Sequence, residues 1–167
     1  MSGVRAGRGA PLLALAALGL GACGYGFSQR WVARGGAERV HVRDFENRST
    51  EPELGAALTE ALRAELARRG ADAPEGARAV IEGEVRATEP VPTATRAAPP
   101  EVAAWRIGIE VRARLVDGGA TVAERVVRRD ADFLGGADPR ESEGRRALAL
   151  RRLAAGAARE LLVAFER

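Results

Sequence analysis

The sequence predicts an α+β fold, a two-layer sandwich in which a four-stranded mixed sheet carries two helices on one face. The expected order is β-α-β-β-β-α. Three observations predict it. Two segments repeat apolar residues at spacings of three and four, the period of a helix with one buried face. The segment from Trp105 to Leu115 alternates apolar and polar residues, the period of a strand with one buried face. Between these segments lie short clusters of Gly, Asp, Asn and Pro that turn the chain.

The elements follow in order. Val40 and Val42 alternate with His41 and Arg43 in a short strand that ends near Phe45. Asn47 to Pro52 is turn chemistry, and Thr50 with Glu53 makes a capping-box pattern with Pro52 tolerated in the first turn. A helix should follow to Arg69, its apolar face made by Leu54, Leu58, Ala61, Leu62 and Leu66, with Gly70 as its C-terminal cap. Ala79, Ile81, Gly83 and Val85 then alternate with Glu82, Glu84 and Arg86 in a second strand. Pro90, Pro92, Pro99 and Pro100 fall between Glu89 and Glu101, and predict an extended loop there without regular pairing. In the third strand Trp105, Ile107, Ile109, Val111, Ala113 and Leu115 share one face, and Arg106, Glu110, Arg112 and Arg114 the other. Asp117-Gly118-Gly119 is a tight hairpin turn. The fourth strand, Thr121 to about Phe133, has a broken phase that predicts a bulge near Val126. Asp138-Pro139 opens the last helix with Glu141 in the capping-box position, and Leu150, Leu153, Ala157, Leu161 and Ala164 form its stripe beside Phe165.

Ahead of the domain, Arg5 and Arg8 precede an apolar run from Pro11 to Leu20 that closes on Leu20-Gly21-Ala22-Cys23. A positive start, about ten apolar residues and small residues before a cut are the parts of a secretory signal. The run is too short to span a bilayer, which takes about 20 apolar residues. The stretch resembles the bacterial lipobox, which implies cleavage before Cys23 and acylation of its thiol and new amine. Cys23 is the chain's single cysteine and so forms no internal disulfide. Residues 1–22 are therefore expected to be a signal peptide, 23–37 a lipidated tether and 38–167 a single domain.

Composition excludes several classes. The chain has no lysine, so its 26 basic residues are all arginine; two leave with the signal, and 24 arginines then face 23 acids. Such a near-neutral chain lacks the basic excess of a nucleic-acid-binding domain. No nucleophile motif, phosphate loop or clustered metal-ligand spacing occurs, so neither an enzyme nor a cofactor or metal site is expected. His41 sits at an outward phase of its strand, and Asp130 and Asp132 share a wet strand face. Arg106, Arg112 and Arg114, with Arg125 and Arg129, could line one sheet face and bind a phosphorylated sugar or lipid, because guanidinium grips phosphate bidentately. The competing reading is an ordinary wet face with Glu110 and Glu124 pairing across strands.

Cys23-Gly24-Tyr25-Gly26-Phe27, followed by Val40-His41-Val42-Arg43-Asp44-Phe45-Glu46-Asn47-Arg48-Ser49-Thr50-Glu51-Pro52-Glu53-Leu54, resembles the lipopolysaccharide-assembly lipoprotein family LptE. The motif-grade portion is Cys23–Leu54. The resemblance implies an outer-membrane lipoprotein on the periplasmic side that plugs a β-barrel translocon, LptD, and helps deliver lipopolysaccharide. Gly24 after the acylated cysteine agrees with outer-membrane sorting. The same strand, turn and helix opening also resembles activators of peptidoglycan synthases and the TolB N-terminal domain. Such activators need a long linker, whereas about 16 residues separate Cys23 from the first strand, a reach under roughly 60 Å.

Overall fold

The computed structural model describes residues 30–97 and 100–167; the signal, Cys23 and the Cys-Gly-Tyr-Gly-Phe stretch lie outside the described residues. The class is the expected one, a mixed sheet with two helices, but the sheet has six strands rather than four. They are β1 (His41–Val42), β2 (Glu46–Asn47), β3 (Ala79–Ala87), β4 (Val91–Ala97), β5 (Pro100–Asp117) and β6 (Ala120–Leu134), with helices α1 (Leu54–Arg68) and α2 (Pro139–Phe165).

The difference in strand number has two sources. The first expected strand is split into β1 and β2, both parallel to β3. The proline-rich segment is not an unpaired loop: β4 pairs antiparallel with the start of β5, from Val91 opposite Arg106 to Ala97 opposite Pro100. β3 occupies the same side of β5 farther along, from Ala87 opposite Ile109 to Ala79 opposite Asp117. β4 is thus an edge strand, the one place in a sheet where a residue lacking an N–H is tolerated. Its register slips on either side of Ala94, two residues past Pro92.

β5 also pairs along its length with β6. The bulge falls at Val122 rather than near Val126, because Leu115 faces Ala123 while Val116 faces Thr121. Beyond that extra residue the odd positions of β6 turn toward the helices, and Val127 is buried. Val126 faces the open side and is half exposed.

Both helices pack on one face of the sheet, α1 over β1 and β3, and α2 over β5 and β6, and they touch each other. The α1 stripe is realised by Leu54, Leu58, Leu62 and Leu66, all fully buried. Each such leucine contributes about 1.5–3 kcal/mol of burial. Thr59, also buried, donates to Gly55 O at 2.9 Å and accepts from Phe45 N at 3.0 Å, so neither polar group is orphaned. The expected Thr50–Glu53 capping box does not form. Glu53 is the N-cap, in a helical conformation and without a side-chain cap bond. Asn47 organises the turn instead: its Nδ2 donates to Glu51 O at 2.6 Å, and its Oδ1 accepts from Ser49 N and Oγ.

The α2 entry follows the sequence closely. Asp138 accepts from Glu141 N at 2.9 Å, and Glu141 reaches back to Ala137 N at 2.7 Å. Leu150, Leu153, Ala157, Leu161 and Phe165 are buried, while Ala164 is only partly so.

Two corrections concern the core. Trp105 faces the helix side but is only half-buried, between Pro92 and Phe133. The buried residues of α2 begin only at Ala149, so the helix layer thins toward the start of α2. The core tryptophan is Trp31, 2% exposed, with Nε1 donating to Leu162 O at 3.1 Å. Next to it Ala33 is buried, and Arg34 N donates to Phe165 O. Among the described residues the core therefore includes Trp31 and Ala33, ahead of residue 38, where the sequence reading starts the domain.

Candidate functional site

The sheet face away from the helices is the most densely charged surface of the described residues. Alternation along β5 places Arg106, Glu110, Arg112 and Arg114 there. Antiparallel neighbours share a face, so β6 adds Glu124, Val126, Arg128, Asp130 and Asp132, and β3 adds Glu82, Glu84 and Arg86. The three arginines singled out from sequence thus stand on one face, as their spacing requires. Arg125 and Arg129 do not share their strand phase, although Arg125 reaches a hollow at one end of the face. They occupy odd positions of β6 on the helix side, and Arg129 pairs with Glu160 of α2 at 2.9 Å. Arg128 holds the place that the sequence reading gave to them.

Each candidate arginine already has a carboxylate. Arg106 grips Asp132 bidentately at 2.8 and 3.1 Å and lies 3.7 Å from Asp130. Arg112 bonds Glu110 at 3.0 Å and lies 3.9 Å from Glu84. Arg114 bonds Glu82 at 2.7 Å, and Arg43 pairs with the same carboxylate. Arg128 bonds the other oxygen of Glu110 at 2.7 Å. Arg48 joins Glu46 to Glu84 at the β2 margin. Glu82, Glu84, Arg43, Arg48 and Arg128 are the members that arginine spacing alone missed; the strict alternation of β3 was the signal for the two glutamates.

Exposure keeps these pairs weak and sensitive to salt. Their sense is still clear. The hydrogen bond from Arg106 holds the Asp132 carboxyl below its ordinary value. Glu110 is likewise lowered, first by the hydrogen bond from Arg128 and then by that from Arg112. A carboxylate with a depressed folded pKa adds stability that is present above its unfolded pKa and lost as pH falls through the folded one. Denaturant midpoints followed downward in pH through the carboxylate range should therefore fall less steeply in a Glu110→Gln, Asp132→Asn double variant than in the parent. Parallel curves would contradict the pairing.

Between β2 and β6 the face is hollowed, with a shallow open volume of about 670 Å³ lined by Arg43, Glu82, Glu84, Arg112, Arg114 and Glu124 among others. An anion meeting Arg43, Arg112 or Arg114 there must displace a carboxylate already in place, whereas Arg125, which also lines the hollow, bonds the Glu124 carbonyl. His41, expected to be solvated, is half-buried with Nδ1 3.2 Å from Ala73 O. Among the described residues no group of three or more His, Cys, Asp or Glu side chains could hold a metal ion, and no helix is long and apolar enough to cross a membrane. The arrangement offers no nucleophile and base pair. What it offers is a broad polar wall with both signs of charge interleaved.

The sequence matches the family model of LptE, described as lipopolysaccharide-assembly, over residues 37–164. The chain belongs to the LptE family. No curated protein matches it significantly. Among solved structures, the rare lipoprotein B from Shewanella oneidensis is similar at a TM-score of 0.55 and 14% identity, covering 74% of this chain and 92% of that one. A lipoprotein candidate from Caulobacter crescentus is similar at 0.56 and 18% identity, covering 75% and 86%. At these identities the likeness is one of fold, and it spans the sheet and both helices of the LptE architecture. The LptE family assembles lipopolysaccharide without being an enzyme family, and the family read from the sequence is shown by this match, which begins past Cys23–Phe27.

Proposed function

We propose that the protein is an outer-membrane lipoprotein that plugs and assists the β-barrel lipopolysaccharide translocon, LptD, and so supports transport of lipopolysaccharide to the cell surface. Membership of LptE is the observation that carries this reading. The charged sheet face supports it. The lumen of a large barrel is polar and wet, and a plug wall must keep its charges solvated or paired there. A face whose exposed arginines are interleaved with paired, partly covered carboxylates meets that condition without burying an unpaired charge. Lipopolysaccharide phosphates reaching Arg106, Arg112 or Arg114 would exchange with Asp132, Glu110 or Glu82.

In this reading residues 1–22 are a cleaved signal and Cys23 carries the acyl chains on the periplasmic side. Several acyl chains give firm anchoring, at about 0.8 kcal/mol per buried methylene. Cys23→Ala should release the protein from the membrane fraction after fractionation, and continued retention would overturn the lipid assignment. Trp31 is already seated in the core, and it follows Cys23 by eight residues, a reach of at most about 29 Å. That is half the tether read from sequence, and it further disfavours a peptidoglycan-synthase activator or TolB-like module that must reach through the periplasm.

A photo-crosslinking residue at Val126 tests the contact. This side chain is half exposed on the charged face. The expected product is an adduct with a large outer-membrane β-barrel protein, and a weaker or absent adduct from Val163, exposed on α2. Adducts to a peptidoglycan synthase would favour the alternative.

A further inference from the structure

We propose that the end of the sandwich where the chain enters from Cys23 carries a headgroup-facing basin that takes the phosphodiester of anionic phospholipids in the anchoring leaflet. The proposal rests on the lipid-anchor reading of Cys23. The basin is a shallow hollow of about 640 Å³ lined by Arg34, Gly35, Gly36, Val122 and Arg167. Its place in the fold is fixed by contacts. Arg34 Nε donates to Ala164 O at 3.0 Å, Arg167 N donates to Val32 O at 3.0 Å, and the Ala33–Arg34 segment bonds the end of α2. Gly35 lies beside Asp117 and Val122 at the β5–β6 hairpin. The Arg34–Gly36 side of the basin therefore lies three to five residues past Trp31, where the anchor's reach ends.

Three features give the basin its chemistry. Two exposed arginines flank it, and guanidinium is the side chain that meets phosphate oxygens with paired donors. Gly35 and Gly36 both have positive φ, 90° and 89°; Gly35 is covered by Asp117 and Val122, while Gly36 has open space beside it, so a headgroup can approach the backbone there. The nearby acids Asp117 and Glu38 are taken up by Arg78 at 2.7 Å and Arg30 at 3.2 Å, and Glu166 is half-buried. A tether of at most about 29 Å holds this end at the bilayer. Leu134, at the opposite end of β6, is about 40 Å away along the strand, and touches the surface only if the sheet lies flat on it.

The test uses the full lipidated protein in vesicles. Ala120→Cys, at the hairpin beside the basin and not lining it, and Leu134→Cys, both at exposed positions, each supply one free thiol for a fluorophore, since Cys23 is acylated. Vesicles of phosphatidylethanolamine with phosphatidylglycerol, or of phosphatidylcholine alone, carry a nitroxide on the lipid headgroup. The expected result is quenching at position 120 at least about twofold stronger than at 134, given their separation. It should be stronger on the phosphatidylglycerol vesicles. The excess should vanish in the Arg34→Glu, Arg167→Glu double variant and in about 1 M salt, where the Debye length is ~3 Å. Equal quenching at both positions, or no difference between the two vesicle types, would overturn the basin while leaving the anchor intact. Failure of the protein to stay with the vesicles at all would overturn the anchor reading itself.

Discussion

Trp31→Ala is expected to remove about 3–5 kcal/mol of folding stability, the range for truncating a large buried aromatic. The side chain is 2% exposed and belongs to the same core cluster as Ala33, Phe165 and the α2 leucines. It also satisfies the Leu162 carbonyl through Nε1. Truncation opens a cavity, orphans that carbonyl and loosens the segment that bridges Ala33 to Glu166. For a domain of this size the melting temperature should fall by roughly 10 °C or more. Trp105→Ala, at a half-buried site near the exposed end of the sheet, should lower it far less. Thermal unfolding of the two variants side by side decides the matter. Equal losses, or a larger loss at Trp105, would mean that the core has been placed at the wrong end.

Gly83→Ala is the second large effect, and here the sign is diagnostic. In an ordinary strand interior alanine is better than glycine by about 0.5–1 kcal/mol. At Gly83 a Cβ would overlap the Arg112 carbonyl oxygen and lie 2.9 Å from Ala113 Cα. Both obstacles are backbone of the paired strand, so no side chain can move aside. The variant should lose stability at or above the upper end of the ~1–3 kcal/mol typical of overpacking. It should also disturb the β3–β5 register that holds Glu82 opposite Arg114 and Glu84 opposite Arg112. A denaturant midpoint unchanged or raised would show that the two strands do not approach so closely.

These two sites mark what periodicity can and cannot read. The helices were legible because each buries one face against the sheet, which leaves leucines at helical spacing. The α2 cap was legible because Asp138 and Glu141 act on backbone groups within one turn. The third strand's two faces were legible from β5 alone. Its partners were not, because alternation says which face a residue takes and nothing about which strand lies alongside. Hence Arg128, reached only through the bulge at Val122, was missed, and Arg125 and Arg129 were placed on the wrong face. Prolines forbid a central ladder and not an edge, so composition alone could not separate a loop from β4. Trp31 sits in a glycine-rich stretch without period, and its burial depends on where α2 ends. The lipobox pattern and the LptE resemblance needed no geometry, since they are local patterns of residues.

The most direct measurement of the central claim is purification of the tagged protein from the membranes of its own cells in mild detergent, with partners identified by mass spectrometry. The translocon-plug account predicts one large β-barrel protein recovered in stoichiometric amount. Recovery of a peptidoglycan synthase, or of no barrel at all, would contradict it and leave LptE membership as a shared fold put to another use.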